Sequence, residues 1–133
     1  MKKINTEKAP AAVGAYSQAV VSGSFVFTSG LLGITANGEL ATGIARQTAT
    51  ALKNLSKILD AAGSSIENVV KTTCYLADIN DFDVFNEIYA NFFEHRPART
   101  LIQAAALPKG ALVEIEAVAE LEKVVVSFNY DND

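Results

Sequence analysis

Ile44-Ala45-Arg46-Gln47-Thr48-Ala49-Thr50-Ala51-Leu52-Lys53-Asn54-Leu55-Ser56-Lys57-Ile58-Leu59-Asp60-Ala61-Ala62-Gly63 is the stretch on which the fold class turns. Ile44, Thr48, Ala51, Leu55, Ile58 and Ala62 recur three and four apart, while Arg46, Lys53 and Lys57 fall elsewhere. That period is an amphipathic helix, and Gly63 stands where a left-handed C-cap belongs. Alanine and threonine at many of the apolar positions let such a helix lie close on a sheet.

On its N-terminal side the period is different. Tyr16 to Val21 and Phe25 to Gly30 are short, rich in β-branched and aromatic residues, and separated by Ser22-Gly23-Ser24, which reads as a hairpin. Asn37-Gly38 marks a turn in the loop that follows. On the C-terminal side, Val69 to Ala77 reads as a strand. Alternation puts Val70, Thr72, Cys74 and Leu76 on one face and Val69, Lys71, Thr73 and Tyr75 on the other. Asn80 or Asp81 is placed to cap a second helix, Phe82 to Phe93, with Phe85, Ile88, Tyr89 and Phe92 as its core stripe. Arg99 to Ala106 and Ala111 to Val118 then read as a hairpin around Leu107-Pro108-Lys109-Gly110.

The order ββαβαββ predicts an α+β fold, one mixed sheet carrying both helices on one face. Its other face would be bare, and a broad apolar sheet face is not left in water. Association through that face is the expectation. In the last hairpin, Ala106 opposite Ala111 would put Arg99, Leu101, Gln103, Glu114 and Glu116 on the face away from the helices. Charges on a face that must be buried need partners or a ligand. Arg99 and Glu114 would then lie four residues apart along the ladder, roughly 13 Å at about 3.3 Å per residue, so contact between them is expected across a subunit boundary.

Composition narrows the function. The chain has 133 residues, half of them hydrophobic, and a formal charge of −4, with mean hydropathy +0.20 and a pI near 5.0. One domain over residues 1–133 is expected. The acidic balance makes a nucleic-acid partner unlikely on charge grounds. One cysteine, Cys74, and one histidine, His95, leave no cysteine-rich zinc site and no three-histidine metal centre. Lys2 and Lys3 are followed by no apolar segment of secretory type, and no window is long and apolar enough to span a membrane. A reduced, cytoplasmic protein without a metal is expected.

Several segments are similar to one known family. Ala9-Pro10-Ala11-Ala12-Val13-Gly14-Ala15-Tyr16-Ser17-Gln18-Ala19, Phe27-Thr28-Ser29-Gly30, Val70-Lys71-Thr72-Thr73-Cys74-Tyr75-Leu76, Asn80-Asp81-Phe82, Pro97-Ala98-Arg99 and the run from Leu107 to Ala119 resemble the Rid family of enamine/imine deaminases. The match spans about residues 5 to 121, leaving 122–133 as a C-terminal extension in which Val124 to Phe128 would add an edge segment. The resemblance implies a chorismate-mutase-like (YjgF-type) fold, a homotrimer around a central barrel, and ligand clefts between subunits. It also implies hydrolysis of 2-iminobutanoate and 2-iminopropanoate to 2-oxo acids and ammonia, without cofactor or metal.

By that resemblance Arg99 is the carboxylate anchor, a role that suits a bidentate guanidinium. Glu114 would orient or deprotonate the attacking water. Tyr16, Ser29, Gly30, Asn86 and Leu101 match cleft positions; Glu116, on the same face as Glu114, is read as the structural one of the two glutamates. Leu101 stands where many members carry cysteine or threonine, and Leu31 where glutamine often follows Ser-Gly, which implies a greasier pocket. The loop from Phe93 to Pro97 looks short by about a residue against the family pattern. His95 is read as a surface loop residue and Cys74 as an inert core thiol. Two other functions stay open at this point: a non-catalytic 2-oxo acid-binding regulator of the same fold, and an RNA-directed ribonuclease or translation inhibitor.

Overall fold

The structure, a computed structural model, describes residues 1–122; the expected edge segment at Val124 to Phe128 lies outside them. Nine elements follow in order: β1 (Lys2–Ile4), β2 (Ala19–Ser22), β3 (Phe25–Thr28), β4 (Leu31–Leu32), α1 (Gly43–Ala61), β5 (Val69–Leu76), α2 (Phe82–Phe92), β6 (Ala98–Gln103) and β7 (Val113–Glu120). The strands form one sheet in the order β1-β2-β3-β7-β5-β6, with β4 also paired to β7. Only β5 and β6 run parallel, so the sheet is mixed.

Much of this follows locally. The β2–β3 hairpin closes with Ser22 opposite Phe25, and Gly23 at its tip takes φ +60, a conformation that glycine enters without a Cβ penalty. Helix α1 stops one residue short of the expected boundary, and Gly63 follows with φ +84. Its small-residue face does permit close approach: a Cβ on Gly33 would run into the Gln47 backbone. Two buried amides lock the helix to the sheet. Asn54 Nδ2 donates to the carbonyls of Leu32 and Ile34 at 3.3 and 2.9 Å, and Gln47 Oε1 accepts from the Leu112 N–H at 2.8 Å. Leu52, Leu55, Ile58 and Leu59 of α1 meet Phe85 of α2 and Val26, Leu76, Val113 and Ile115 of the sheet in one core. Each such side chain contributes about 1.5–3 kcal/mol of burial.

The structure corrects the expected last hairpin. β6 does not pair with β7; it lies parallel to β5, with Thr72 opposite Arg99 and Cys74 opposite Leu101. β7 lies antiparallel on the other edge of β5. Helix α2 supplies the crossover that a parallel pair requires. The connection between β6 and β7 then steps over the end of β5, where Ala104 N–H donates to Leu76 O at 2.8 Å and Ala77 N–H to Leu112 O at 3.0 Å. Leu107-Pro108-Lys109-Gly110 is part of that step.

The faces change accordingly. Glu114 and Glu116 do point away from the helices, because Val113, Ile115 and Ala117 are buried. Arg99, Leu101 and Gln103, in register with Thr72, Cys74 and Leu76, take the helix side instead. A bulge in β5 moves Val69 onto that inner face and turns Val70 out, 38% exposed. In α2 the buried stripe is Phe85 and Tyr89, continued by Phe93, while Ile88 and Phe92 are half-buried. Asp81 takes the expected N-cap position of α2, though without a side-chain cap bond, and Asp78 caps the short turn Ile79–Asp81 leading into it, its carboxylate accepting from the Asn80 N–H at 2.9 Å. β2 begins at Ala19, so Tyr16 stands before the strand. The outer sheet face carries Phe25, Phe27 and Ile102 uncovered, the bare apolar face that the element order implied.

Candidate active site

The chain positions its candidate residues in two places. The first is a concavity of about 1050 Å³ lined by Tyr16, Ser29, Gly30, Leu32 and Glu114, with the arm from Asn5 to Val13 as one wall. β3 and β4 both pair along β7, but Phe27 faces Val118 while Leu31 faces Ile115. One extra residue is therefore accommodated on the β3–β4 side, and the Ser29-Gly30 corner is the result. Thr28 Oγ1 covers the interruption by accepting from the Ala117 N–H at 3.0 Å.

Gly30 at this corner makes room for Glu114. A Cβ there would lie 2.7 Å from Glu114 Cδ and 3.0 Å from Oε2, closer than side-chain carbon tolerates. The Glu114 carboxyl is held above the usual carboxylate range, first by burial and then by the negative charge of Glu116. Glu116 accepts from the Tyr75 hydroxyl at 2.6 Å, and that bond is the main cause raising the phenol to about 12.

Ser29 is committed internally. Its hydroxyl donates to Ser17 O at 2.5 Å and its N–H to Gln18 O at 3.0 Å, so it brings oxygen lone pairs to the concavity. Tyr16 is half exposed, and its hydroxyl accepts from the Val13 N–H at 3.4 Å. Gln18, buried, fixes the arm: Oε1 accepts from the Thr6 N–H at 2.7 Å, and Nε2 donates to Thr6 O and Pro10 O at 3.1 and 2.8 Å.

The second place is a smaller hollow of about 340 Å³ lined by Asn86, Tyr89, Phe93, Arg96, Pro97 and Arg99. Arg99 Nη1 donates to Asn86 Oδ1 at 2.7 Å. The guanidinium carbon lies 4.7 Å from the Tyr89 ring centroid and 5.6 Å from that of Phe82. Phe82, Asn86 and Tyr89 are four and three residues apart and so share one face of α2. Tyr89 is itself anchored by a 2.6 Å hydrogen bond between its hydroxyl and Thr72 Oγ1. A guanidinium held over an aromatic ring, with donors remaining, suits a planar carboxylate.

Tyr16, Ser29, Gly30 and Glu114 are thus brought together, as are Arg99 and Asn86, but the two groups are separated. Glu114 faces Tyr75 across the ladder and Arg99 faces Thr72, so they occupy opposite faces of the sheet. Asn86 is a support for Arg99. Leu101 packs half-buried against the core and lines neither concavity, whereas Leu31, largely buried, also lines the larger one. His95 is an exposed loop residue whose Nε2 lies 2.9 Å from Val69 O. Among the described residues no group of three or more His, Cys, Asp or Glu is placed to hold a metal. Sequence reasoning missed Tyr89 as the Arg99 platform, although its spacing of three from Asn86 carries the signal. It also missed Tyr75 and Gln18, which only the strand pairing and the arm's path bring into view.

With this geometry, comparison with known proteins is decisive. Residues 6–121 match the family described as endoribonuclease L-PSP. The chain belongs to that family. The resemblance to Rid deaminases is borne out within it. A Rattus norvegicus L-PSP relative named 2-iminobutanoate/2-iminopropanoate deaminase is 54% identical over 121 residues, 89% of this chain and 88% of its own. A Homo sapiens protein of the same name is 52% identical over 119 residues, 87% of each. Among solved structures, E. coli TdcF with bound serine superposes with TM-score 0.88 at 39% identity, covering 92% of this chain and all of that one.

Proposed function

We propose that this chain hydrolyses 2-imino acids such as 2-iminobutanoate and 2-iminopropanoate to 2-oxo acids and ammonia. The observation that carries the reading is Glu114: a carboxyl with weakened acidity, in a half-dry concavity, given its space by a glycine. Relatives at 54 and 52% identity bear the name of that activity.

Hydrolysis of C=N requires a water, a base and an anchor. Arg99 binds the substrate carboxylate through the donors left after its bond to Asn86. Glu114 takes a proton from water as the oxygen attacks C2 of the protonated imine, giving a carbinolamine. It returns that proton to the nitrogen. Glu114, a carboxylate again, takes the hydroxyl proton as the C–N bond breaks and C2=O forms, then passes that proton to the departing ammonia, which leaves as ammonium and restores Glu114. A carboxyl whose acidity is moved toward neutrality suits these transfers.

Arg99 and Glu114 on opposite faces of one sheet cannot grip one small substrate, so the reading pairs Arg99 of one copy with Glu114 of another. The uncovered apolar face of Phe25, Phe27 and Ile102 supports association, and we assign a homotrimer with clefts between copies. No described helix is long and apolar enough to cross a membrane, and a cytoplasmic site of action fits the composition. A 2-oxo acid-binding role without turnover is the second reading, favoured by the serine bound to the structural neighbour.

The test is a coupled assay with a threonine dehydratase supplying the imine, on the native chain, Arg99→Ala and Glu114→Gln. Faster release of 2-oxobutanoate, lost in both variants, is expected. No acceleration by the native chain, with 2-oxo acid binding that depends on Arg99, would establish the binding role instead.

A further inference from the structure

Tyr75 and Glu116 have no part in the steps above, yet they border Glu114 on both sides. Glu116 is the next residue of β7 on the same outer face, and Tyr75 is the residue of β5 directly opposite Glu114. The phenol does not bond to Glu114. It reaches diagonally and donates to Glu116 Oε1 at 2.6 Å, a short bond of the charge-assisted kind. We propose that Tyr75 and Glu116 are positioning residues for Glu114: the phenol holds the Glu116 carboxylate in place beside Glu114, and that carboxylate maintains the field in which Glu114 takes up and returns its proton.

Other charged or titratable groups do not fill that role. Glu7, Lys8, Tyr16, Lys57 and Lys109 line the concavity, and Lys71, on the outer face of β5, donates to Thr100 Oγ1 at 2.8 Å. Within one copy and among the described residues, Glu116 is the charged group that acts on Glu114, alongside burial; in the proposed assembly Arg99 of another copy is added, and it is common to the native chain and both variants. Two carboxylates on adjacent outward positions of one strand repel, and such repulsion favours the protonated form of the less exposed one. A carboxylate left mobile would swing away from its neighbour; the Tyr75 hydroxyl removes that freedom. The geometry stands independently of the deaminase reading, while its catalytic meaning rests on it.

The experiment separates the two. Protein labelled with ¹³C at glutamate Cδ is titrated by NMR as native chain, Glu116→Gln and Tyr75→Phe, with Glu114→Gln assigning the Glu114 signal. Glu114 is expected to titrate at lower pH in Glu116→Gln and to move the same way, by less, in Tyr75→Phe, where the Glu116 carboxylate is free to swing away. In the coupled assay the acidic limb of kcat moves to lower pH in Glu116→Gln, kcat at neutral pH falls severalfold, and KM stays within about twofold. An unchanged Glu114 titration in Glu116→Gln overturns the pairing, and an unchanged Glu114 titration in Tyr75→Phe overturns the part given to the phenol. Should the titrations move while the native chain hydrolyses no imine, the proposed function falls and the electrostatic coupling stands.

Discussion

The guanidinium carbon of Arg99 rests 4.7 Å from the centroid of the Tyr89 ring, and Tyr89 is held in turn by Thr72. Helix α2 and strand β5 thereby set an arginine that a strand alone would leave to swing. Removing the platform should cost binding before chemistry. Tyr89→Leu is expected to raise KM about tenfold or more while kcat changes less. Tyr89→Phe keeps the ring and should keep KM, but leaves the buried Thr72 hydroxyl short of a partner, at about 1–3 kcal/mol of stability. Steady-state kinetics and denaturant melts of both variants check this.

Arg99→Lys preserves charge and loses the planar fork. A lysine neither stacks on Tyr89 in the same way nor bonds a carboxylate through two parallel donors. Binding of 2-oxobutanoate, followed by calorimetry, should weaken by roughly tenfold or more, which is about 1.4 kcal/mol. Lysine binding as well as arginine would mean that charge alone matters there.

Gly30→Ala tests the space reserved for Glu114. The added methyl must displace the carboxylate, since a Cβ would stand 2.7 Å from Cδ. Activity should drop by about 10²-fold, the cost of a misplaced reacting group. The melting transition should shift modestly, because overpacking at an exposed edge relaxes more easily than in a core. An active alanine variant would show that Glu114 works from another rotamer.

The weakened acidity of Glu114 has a thermodynamic sign. Its folded-state value lies above the unfolded one, so the native state keeps this proton to higher pH than the unfolded chain does. Stability is therefore lost as pH rises through that window. Glu114→Gln removes the loss: the variant should melt above the native protein at pH 7.5, with the gap closing below about pH 4, where an unperturbed glutamate is itself protonated. A gap of equal size at both pH values would trace the effect to something other than ionisation.

Cys74, buried, has its thiol pushed up to about 11, chiefly by burial. Thiolate is the reactive form, so an exposed-thiol reagent at pH 8 should label native protein only as fast as the sheet opens. Labelling within seconds would contradict the burial.

The two helices and the first hairpin were legible in the sequence because their signals are local: a 3.6-residue period, Gly63 after the helix, Gly23 in a tight turn. The alternation of Glu114 and Glu116 against Val113, Ile115 and Ala117 was legible for the same reason. The partner of β6 was not. Arg99 to Gln103 and Val113 to Val118 look like two arms of a hairpin, and nothing local says that β5 lies between them. That single non-local fact moves Arg99 and Leu101 to the other face. The candidate residues themselves came from family resemblance. Their division between two concavities comes from the pairing, and Tyr89, Tyr75 and Gln18 enter only through it.

β7 is the last described strand, yet it sits inside the sheet, paired to β3 and β4 on one side and β5 on the other. Until residues 113–120 are available, β1-β2-β3 and β5-β6 are two ribbons with no ladder between them. A chain still being synthesised therefore holds its hydrophobic surfaces open until this strand clears the ribosome, and only then can the sheet close in one cooperative step.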